Sequence, residues 1–319
     1  PVAWDTIADQ FPAAVAALRR PALGPLGPLP PARLKAAAAR TPLRTSPGTD
    51  GLDISVLKAA PEEAWAALAA QLDLIEAGAP WPSALRQGRV VLIPKGQTLQ
   101  GAVRPGELRP IAVLSQVVRL WGRARMGQLH DWIDTWALPT LPGKPAPDAL
   151  LWHSAVAVET VRLQGRLAVG VSFDLAKAFD SVEWSVVTGL LDLTGAPEGP
   201  LQAALRLYAG LDRRFQAPGS RVVSRTAPAR RGVPQGCGLA PVMMALVARF
   251  WASHLLTLDL GPAALGVRIV VDDLHVLLQY PDSSAVTQQL AHLHLERIVA
   301  ESLRLLAAIG HRLNVNKCK

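Results

Sequence analysis

Two adjacent aspartates, Asp272 and Asp273, point most directly to chemistry in this sequence. Apolar residues 269–271 precede them and apolar residues 276–278 follow. This pattern predicts a buried β-hairpin with the acidic pair at its turn. Neighbouring carboxylates repel each other and are costly to remove from water, and a bound cation relieves both effects. An isolated Asp-Asp pair is also typical of a solvated turn, so the interpretation needs support from elsewhere in the chain.

A third carboxylate, Asp174, follows residues 169–173 (VGVSF), which are predicted to form a β-strand. Mg²⁺ prefers oxygen ligands and is commonly held by one or two carboxylates together with substrate phosphates. Two such ions, about 3.5–4 Å apart, stabilise the attacking and leaving oxygens of an in-line phosphoryl transfer. Three carboxylates delivered by two strands therefore indicate nucleotidyl transfer.

Four segments in order resemble the catalytic motifs of reverse transcriptases. They are FDLAKAFDSV at 173–182 (motif A), GVPQGCGLAP at 232–241 (motif B), VVDD at 270–273 (motif C) and GHRLNVNK at 310–317 (motif D). The phrases AKAFDSV and GVPQG are most similar to those of LINE-type (non-LTR) retrotransposons and of the related group II intron enzymes. Each motif alone is a weak signal, and their common order makes the resemblance specific.

The resemblance implies roles for the acidic residues and their neighbours. Asp174 and Asp272 are expected to be the principal ligands of two Mg²⁺ ions, which Mn²⁺ can replace, and Asp273 is expected to support them. The backbone carbonyl of Phe173 or of Leu175 is expected to supply a further oxygen. These residues form the expected catalytic and metal site.

A second group of residues is expected to hold the incoming dNTP. Phe179 matches the aromatic residue that excludes ribonucleotides by crowding the sugar 2′ position, the alternative being an ordinary core aromatic. Gln235 and Gly236 are expected to lie under the base, where a glycine allows close backbone approach. Cationic side chains suit a polyphosphate. The expected triphosphate contacts, each with a solvated strand end as the alternative, are Lys95, Arg109 and Lys317.

The composition favours a polyanionic partner. The chain has 319 residues, half of them apolar, and a net charge of +8 with a pI near 10.1. It is therefore long and apolar enough for folded domains with substantial cores. A predicted hairpin at 213–231 carries an arginine cluster, which is expected to contact template or primer phosphates, with a merely solvated face as the alternative. The cluster comprises Arg213, Arg214, Arg221, Arg225, Arg230 and Arg231.

The predicted fold class is α+β, with the fingers and palm of a right-hand polymerase and no thumb. Residues 1–40 are expected to form a helical extension, residues 41–166 the fingers region, and residues 167–319 a palm whose antiparallel sheet is backed by helices. Residues 117–136 are expected to form one amphipathic helix. Both chain ends are expected to be cuts in a longer polypeptide.

Two cysteines are too few for a disulfide framework or a zinc site, so a reducing, intracellular compartment is expected. Secretory and membrane-spanning patterns are not recognised, and no membrane partner is expected. The resemblance implies a nuclear location. The sequence makes no prediction of the oligomeric state.

The predicted function is that of an RNA-directed DNA polymerase from a non-LTR element, with an RNA template, a DNA primer and dNTPs as partners. A group II intron maturase-type reverse transcriptase is one alternative. A decayed element that at most binds nucleic acid is the other, since Val270, Gly238 and Ala240 replace an aromatic, a Pro and a Ser that are common in these motifs. Val271 also replaces the usual Ala before the acidic pair. Both valines are nevertheless expected to fit a strand, and survival of all three carboxylates argues against decay.

Overall fold

The structure is a computed structural model that describes residues 2–95, 107–138, 147–217, 219–220 and 222–319. Arg221, predicted to contact nucleic acid, lies outside the described residues. The described residues form a mixed α/β fold, which confirms the prediction at that level. They divide into two compact units. The first unit is Pro1–Ala22, Ile133–Ala196 and Pro241–Lys319, and the second is Leu23–Trp132 and Pro197–Ala240.

Five helices come first along the chain, and groups of strands and helices follow them. The helices are α1 (Trp4–Gln10), α2 (Pro12–Leu18), α3 (Pro31–Ala39), α4 (Ile54–Lys58), α5 (Glu62–Glu76), α6 (Gln116–Met126), α7 (His130–Trp136), α8 (Pro147–Leu163), α9 (Ala178–Ser181), α10 (Trp184–Leu193), α11 (Pro200–Ala209), α12 (Ala240–Leu255) and α13 (Ala285–Ala308). The strands are β1 (Gln87–Pro94), β2 (Leu108–Val113), β3 (Leu167–Asp174), β4 (Asp212–Gln216), β5 (Ala227–Pro228), β6 (Ala264–Val270) and β7 (Asp273–Tyr280). Within the described ranges, no helix is both long enough and apolar enough to cross a membrane.

A three-stranded antiparallel sheet organises the first unit, with the strand order β3-β7-β6. The predicted hairpin of β6 and β7 is confirmed, but the acidic pair does not form its turn. The two turn residues are Val271 and Asp272, and Asp273 is the first residue of β7. Side chains of alternate residues point to the same face of a sheet, and one face is buried in the core. On that face Phe173 packs edge-on against Trp251 of α12, with ring centroids 5.9 Å apart. Trp251 in turn donates a hydrogen bond to Ser302 of α13.

The turn of this hairpin departs from the prediction that Val271 belongs to a strand. Strand β6 ends at Val270, and Val271 is the first turn residue, with φ at +59°. A two-residue hairpin turn with positive φ at its first position usually carries glycine there. A β-branched residue in this conformation is strained, and such strain is concentrated at functional sites.

A four-stranded sheet organises the second unit, with the strand order β2-β1-β4-β5. Strands β1 and β2 are antiparallel, as are β4 and β5, whereas β1 and β4 run parallel. Strands β4 and β5 thus pair as a hairpin within the range predicted for the arginine-bearing hairpin. They extend the sheet on the side of β1. Val90 and Ala112 lie on the buried face of this sheet.

The segment predicted as one amphipathic helix at 117–136 is two helices, α6 and α7. Gly127 caps the end of α6, and glycine is among the least favourable residues for continuing a helix. The amide of Leu129 donates to the carbonyl of Met126, which closes the connecting turn, and the Leu129 side chain is buried. Amphipathic periodicity continued across this break, so the helical pattern alone did not reveal it.

A buried histidine joins helices of the first unit. His254 of α12 shares a hydrogen bond of 2.7 Å with the carboxylate of Glu301 on α13 and lies edge-on to the ring of Phe11. Arg304 also bonds to Glu301, and its guanidinium lies over the Phe11 ring. Burial lowers the pKa of His254, although the hydrogen bond to Glu301 opposes this shift. The N-terminal helices thus pack against a pH-sensitive pair.

Acidification is expected to destabilise the first unit through His254. The folded pKa is lowered, so the unfolded chain binds the proton more readily as the pH falls. The stabilising contribution is therefore complete above the unfolded pKa of about 6.5 and is lost as the pH falls through the folded pKa. The slope for one proton is at most about 1.4 kcal/mol per pH unit. Urea unfolding between pH 7 and 5 measures it.

His254→Gln should reduce this slope, whereas His292→Gln on the exposed side of α13 should leave it unchanged. An equal slope in the wild type and in His254→Gln would contradict the prediction.

Candidate active site

Asp174 and Asp273 lie directly opposite each other in the first unit. Asp174 is the last residue of β3, Asp273 is the first residue of β7, and the two are register partners. Side chains at such positions have their Cβ atoms about 4.5–5.5 Å apart, and like charges there destabilise the pair. A cation between them removes this repulsion. The geometry of this pair therefore suits a divalent metal.

A cavity of about 330 Å³ opens at this pair. Its lining brings together the end of the three-stranded sheet and the motif D segment. The lining residues are Ser172, Phe173, Asp174, Asp273, His275, Asn316, Lys317 and Lys319. The side chain of Asp174 is 28% exposed, and the Nζ atom of Lys317 lies 3.9 Å from its Oδ1 atom. Both carboxylates are therefore accessible from the cavity.

Asp272 occupies the second position of the turn and is not among the residues that line this cavity. Among the described residues, no group of three or more His, Cys, Asp and Glu side chains is arranged to hold a metal ion. The structure thus brings together two of the three predicted carboxylates. Two are sufficient for Mg²⁺, which typically takes one or two carboxylates and completes its shell with water and substrate phosphates.

The backbone hydrogen bonds of the residues on either side of Leu175 determine the direction of its carbonyl group. The Asp174 carbonyl accepts from the Asn314 amide at 2.8 Å, and the Ala176 amide donates to the Arg312 carbonyl at 2.8 Å. Backbone groups of successive residues in an extended strand point to opposite sides. The Leu175 carbonyl is therefore directed away from the motif D segment, towards the side of the β6–β7 hairpin.

A second polar row lies two residues behind the aspartates on the same face of the sheet. Ser172, His275 and Arg268 are register neighbours across β3, β7 and β6. The Ser172 hydroxyl and the His275 Nδ1 atom are 2.8 Å apart, and Arg268 bonds to Ser154. Burial lowers the pKa of His275, an effect that the charge of Asp273 opposes. Motif matching missed this row, but counting by twos from Asp174 and Asp273 would have found it.

Phe179 lies in α9, directly after β3, and its side chain is partly exposed. Lys177 precedes the helix in the left-handed conformation, with φ at +52°, which turns the chain sharply after Asp174. Phe179 therefore belongs to the same unit as the aspartates. Its role against ribonucleotides stays a prediction.

Lys317 belongs to the first unit with the aspartates, whereas the four remaining predicted dNTP contacts belong to the second unit. Lys95 follows β1, and Arg109 is exposed on β2, opposite Ile93. The Gln235 carbonyl accepts from the Ala112 amide at 2.7 Å. Gly236 has φ at +126°, and a Cβ atom there would lie 2.2 Å from the Ala112 carbonyl oxygen. Glycine at position 236 therefore allows the backbone to lie close to strand β2. Contact of Gln235 and Gly236 with the base stays a prediction.

Five residues of the arginine cluster lie within the described part of the second unit. Arg213 and Arg214 are on β4, and Arg213 is the less exposed of the two. Arg225 is exposed on the arm that leads into β5. Arg230 and Arg231 are exposed on the segment that follows β5. This placement presents positive charge to solvent, which is compatible with the predicted phosphate contact.

A family model described as "Reverse transcriptase (RNA-dependent DNA polymerase)" matches residues 93–319, which is more than half of the chain. The chain belongs to the reverse transcriptase family. The matched range contains both paired aspartates, the motif D segment and all of the arginine cluster. The resemblance that the four motifs indicated is therefore confirmed.

Three curated proteins show which reverse transcriptases this chain is similar to. The Pol polyprotein of the type-2 retrotransposable element R2DM from Drosophila melanogaster is 27% identical over 88% of the chain. The Pol polyprotein of a type-1 retrotransposable element R2 from Popillia japonica is 28% identical over 62%. The RNA-directed DNA polymerase from the mobile element jockey of Drosophila melanogaster is 25% identical over 83%. The chain covers 25%, 27% and 29% of the lengths of these relatives, in that order.

Proposed function

We propose that this chain is the catalytic part of an RNA-directed DNA polymerase of a non-LTR retrotransposon. It would add deoxynucleotides to a DNA primer 3′-OH while copying an RNA template. The observation that carries the proposal is the register pairing of Asp174 with Asp273 in a cavity shared with Lys317. This arrangement occurs in a chain whose family and similar proteins are reverse transcriptases of mobile elements.

Mg²⁺, when bound, supplies Lewis-acid stabilisation of the charge on the attacking and leaving oxygens. Asp174 and Asp273 would hold it, with Asp272 and the Leu175 carbonyl as the further oxygen donors that the motifs predict. Lys317 would contribute positive charge next to Asp174. As in other phosphoryl transfers, most of the catalysis would come from positioning and electrostatics. Mn²⁺ is the expected substitute.

The two sheets have separate roles in this proposal. The three-stranded sheet corresponds to the palm, within predicted range 167–319, and the four-stranded sheet to the fingers. Lys95 and Arg109 would contact the triphosphate, Gln235 and Gly236 would lie under the base, and the arginine cluster would contact template or primer phosphates. Binding through phosphates is independent of sequence and weakens with salt. The proposed cellular location of the protein is the nucleus.

Primer extension tests the function. The complete open reading frame that contains this chain is assayed on an RNA template with a DNA primer, dNTPs and Mg²⁺. Asp174→Ala should lower incorporation at least about a thousandfold, because it removes charge stabilisation worth several kcal/mol. Arg312→Ala, which removes an exposed side chain of the motif D segment outside the cavity lining, is the matched control. Full Mg²⁺-dependent incorporation by Asp174→Ala would contradict the proposal.

A nucleic-acid-binding module without turnover is the second candidate. The strained Val271 and the lack of a three-carboxylate group among the described residues favour it. It predicts a wild-type protein that binds the template-primer with strong salt dependence and extends nothing. The same assay therefore separates the two functions.

A further inference from the structure

Backbone hydrogen bonds join Asn314 and Lys319, at the end of the chain segment that contains motif D, to strand β3. The residues between these two positions bulge away from the strand. The Asn314 amide donates to Asp174, while Lys319 and Ser172 exchange a pair of backbone hydrogen bonds of 2.8 and 3.1 Å. Ser172 and Asp174 are two residues apart, but their partners are five residues apart. The surplus residues form the short 3-10 turn Val315–Lys317. Such bulges beside an active site redirect side chains.

This bulge places two lysines at one cavity. Lys317 and Lys319 both line the space that Asp174 and Asp273 line, and Asn316 adds an amide between them. The charged side chains around the cavity, two carboxylates and two ammonium groups, therefore sum to zero. Because Lys319 is held by its backbone at Ser172, its position is defined by the sheet rather than by a loose chain.

A bound nucleoside triphosphate needs more positive charge around it than the two carboxylates and their metal ions supply. Two carboxylates are matched to divalent ions, and those ions contact phosphate oxygens near the reacting phosphorus. The outer phosphates of a nucleoside triphosphate carry further charge, which is best met by ammonium or guanidinium donors. Lys317 already lies within 3.9 Å of Asp174. Lys319 also lines the cavity, and its ammonium group forms no ion pair with Asp174 or Asp273 among the described residues.

We propose that Lys319 is a positioning residue that binds the outer phosphates of the incoming dNTP and then the departing pyrophosphate. This inference rests on the proposed polymerase function. In that reaction the primer 3′ oxygen bonds to the α-phosphorus, and the bond from the α-phosphorus to the bridging oxygen breaks. The electron pair stays with pyrophosphate, and the hydroxyl proton passes to solvent. Lys319 keeps its proton throughout and contacts the same outer phosphates before and after this bond breaks.

The variant Lys319→Gln tests this role, with Lys319→Arg as the charge-preserving partner. Arg312→Gln is the matched control, because it removes a positive charge from the same segment at a residue that does not line the cavity. Two quantities are measured in the complete protein. One is the Kd of inorganic pyrophosphate with Mg²⁺ and without primer, by calorimetry. The other is the split between KM for dNTP and kcat in primer extension.

Lys319→Gln is expected to raise the pyrophosphate Kd and the dNTP KM by roughly tenfold each, as loss of one charge-assisted contact does. Its kcat should change much less, and Lys319→Arg should restore most of both constants. Unchanged Kd and KM in Lys319→Gln would overturn the inference, as would an equal effect of Arg312→Gln. If the wild type binds pyrophosphate through Lys319 but incorporates no dNTP, the polymerase function fails while the anion site stands.

Discussion

Asp272→Asn and Asp273→Asn are each expected to lower dNTP incorporation at least about a thousandfold. An amide keeps the shape of the carboxylate but loses the negative charge that a hard cation requires. Loss of metal-based stabilisation of several kcal/mol corresponds to at least three powers of ten in rate. The measurement is single-turnover primer extension at saturating Mg²⁺ in the complete protein.

The ratio of the two losses identifies the ligand set. The motif resemblance makes Asp272 a principal ligand, whereas the structure places Asp273 across from Asp174 and in the cavity. A far larger loss in Asp273→Asn would favour the register pair as the metal site. Asp282→Asn, in a solvent-exposed turn beyond the other end of β7, is the control and should retain activity. Wild-type activity in both active-site variants would exclude either aspartate as a ligand.

Local sequence patterns predicted the elements that carry the site. Alternating or continuous apolar residues beside Asp174 and Asp273 indicated both strands, and the acidic pair indicated the turn between β6 and β7 to within one residue. The arginine-bearing hairpin was likewise predicted from its composition. These elements are determined by contacts between residues close in sequence, so a local pattern is sufficient.

Register and long-range pairing were beyond local patterns. A shift of one residue in strand pairing moves every side chain to the other face. The motifs made Asp272 the principal partner of Asp174, whereas the strand register places Asp273 opposite it. The parallel pairing of β1 with β4 joins residues 87 and 212, which no local motif connects. The two compact units also draw on all three predicted ranges, since residues 2–22 belong with the aspartates. The predicted boundaries at 40 and 166 stay predictions.

A buried ion network in the second unit is a further long-range feature that local sequence patterns did not predict. Arg125 of α6 is only 1% exposed and pairs with Asp73 and Glu76 of α5 at 2.9 and 2.7 Å. It also donates to the Gly27 carbonyl. The sequence pattern placed this arginine only in a predicted amphipathic helix, because its partners lie about 50 and 100 residues away. Only the fold shows that it joins three segments.

Arg125→Ala is expected to lower the free energy of unfolding of the second unit by about 3–5 kcal/mol. Removing one partner of a buried ion network leaves the other charges desolvated and uncompensated, which is far more destabilising than losing a surface pair. Glu76 is the most affected, since its side chain is only 8% exposed. Lys35→Ala is the matched control, because the pair of Lys35 with Glu62 is 51% and 69% exposed. That change should shift stability by about 1 kcal/mol or less. Urea unfolding monitored by tryptophan fluorescence measures both, and similar small losses in the two variants would show that Arg125 does not compensate these carboxylates.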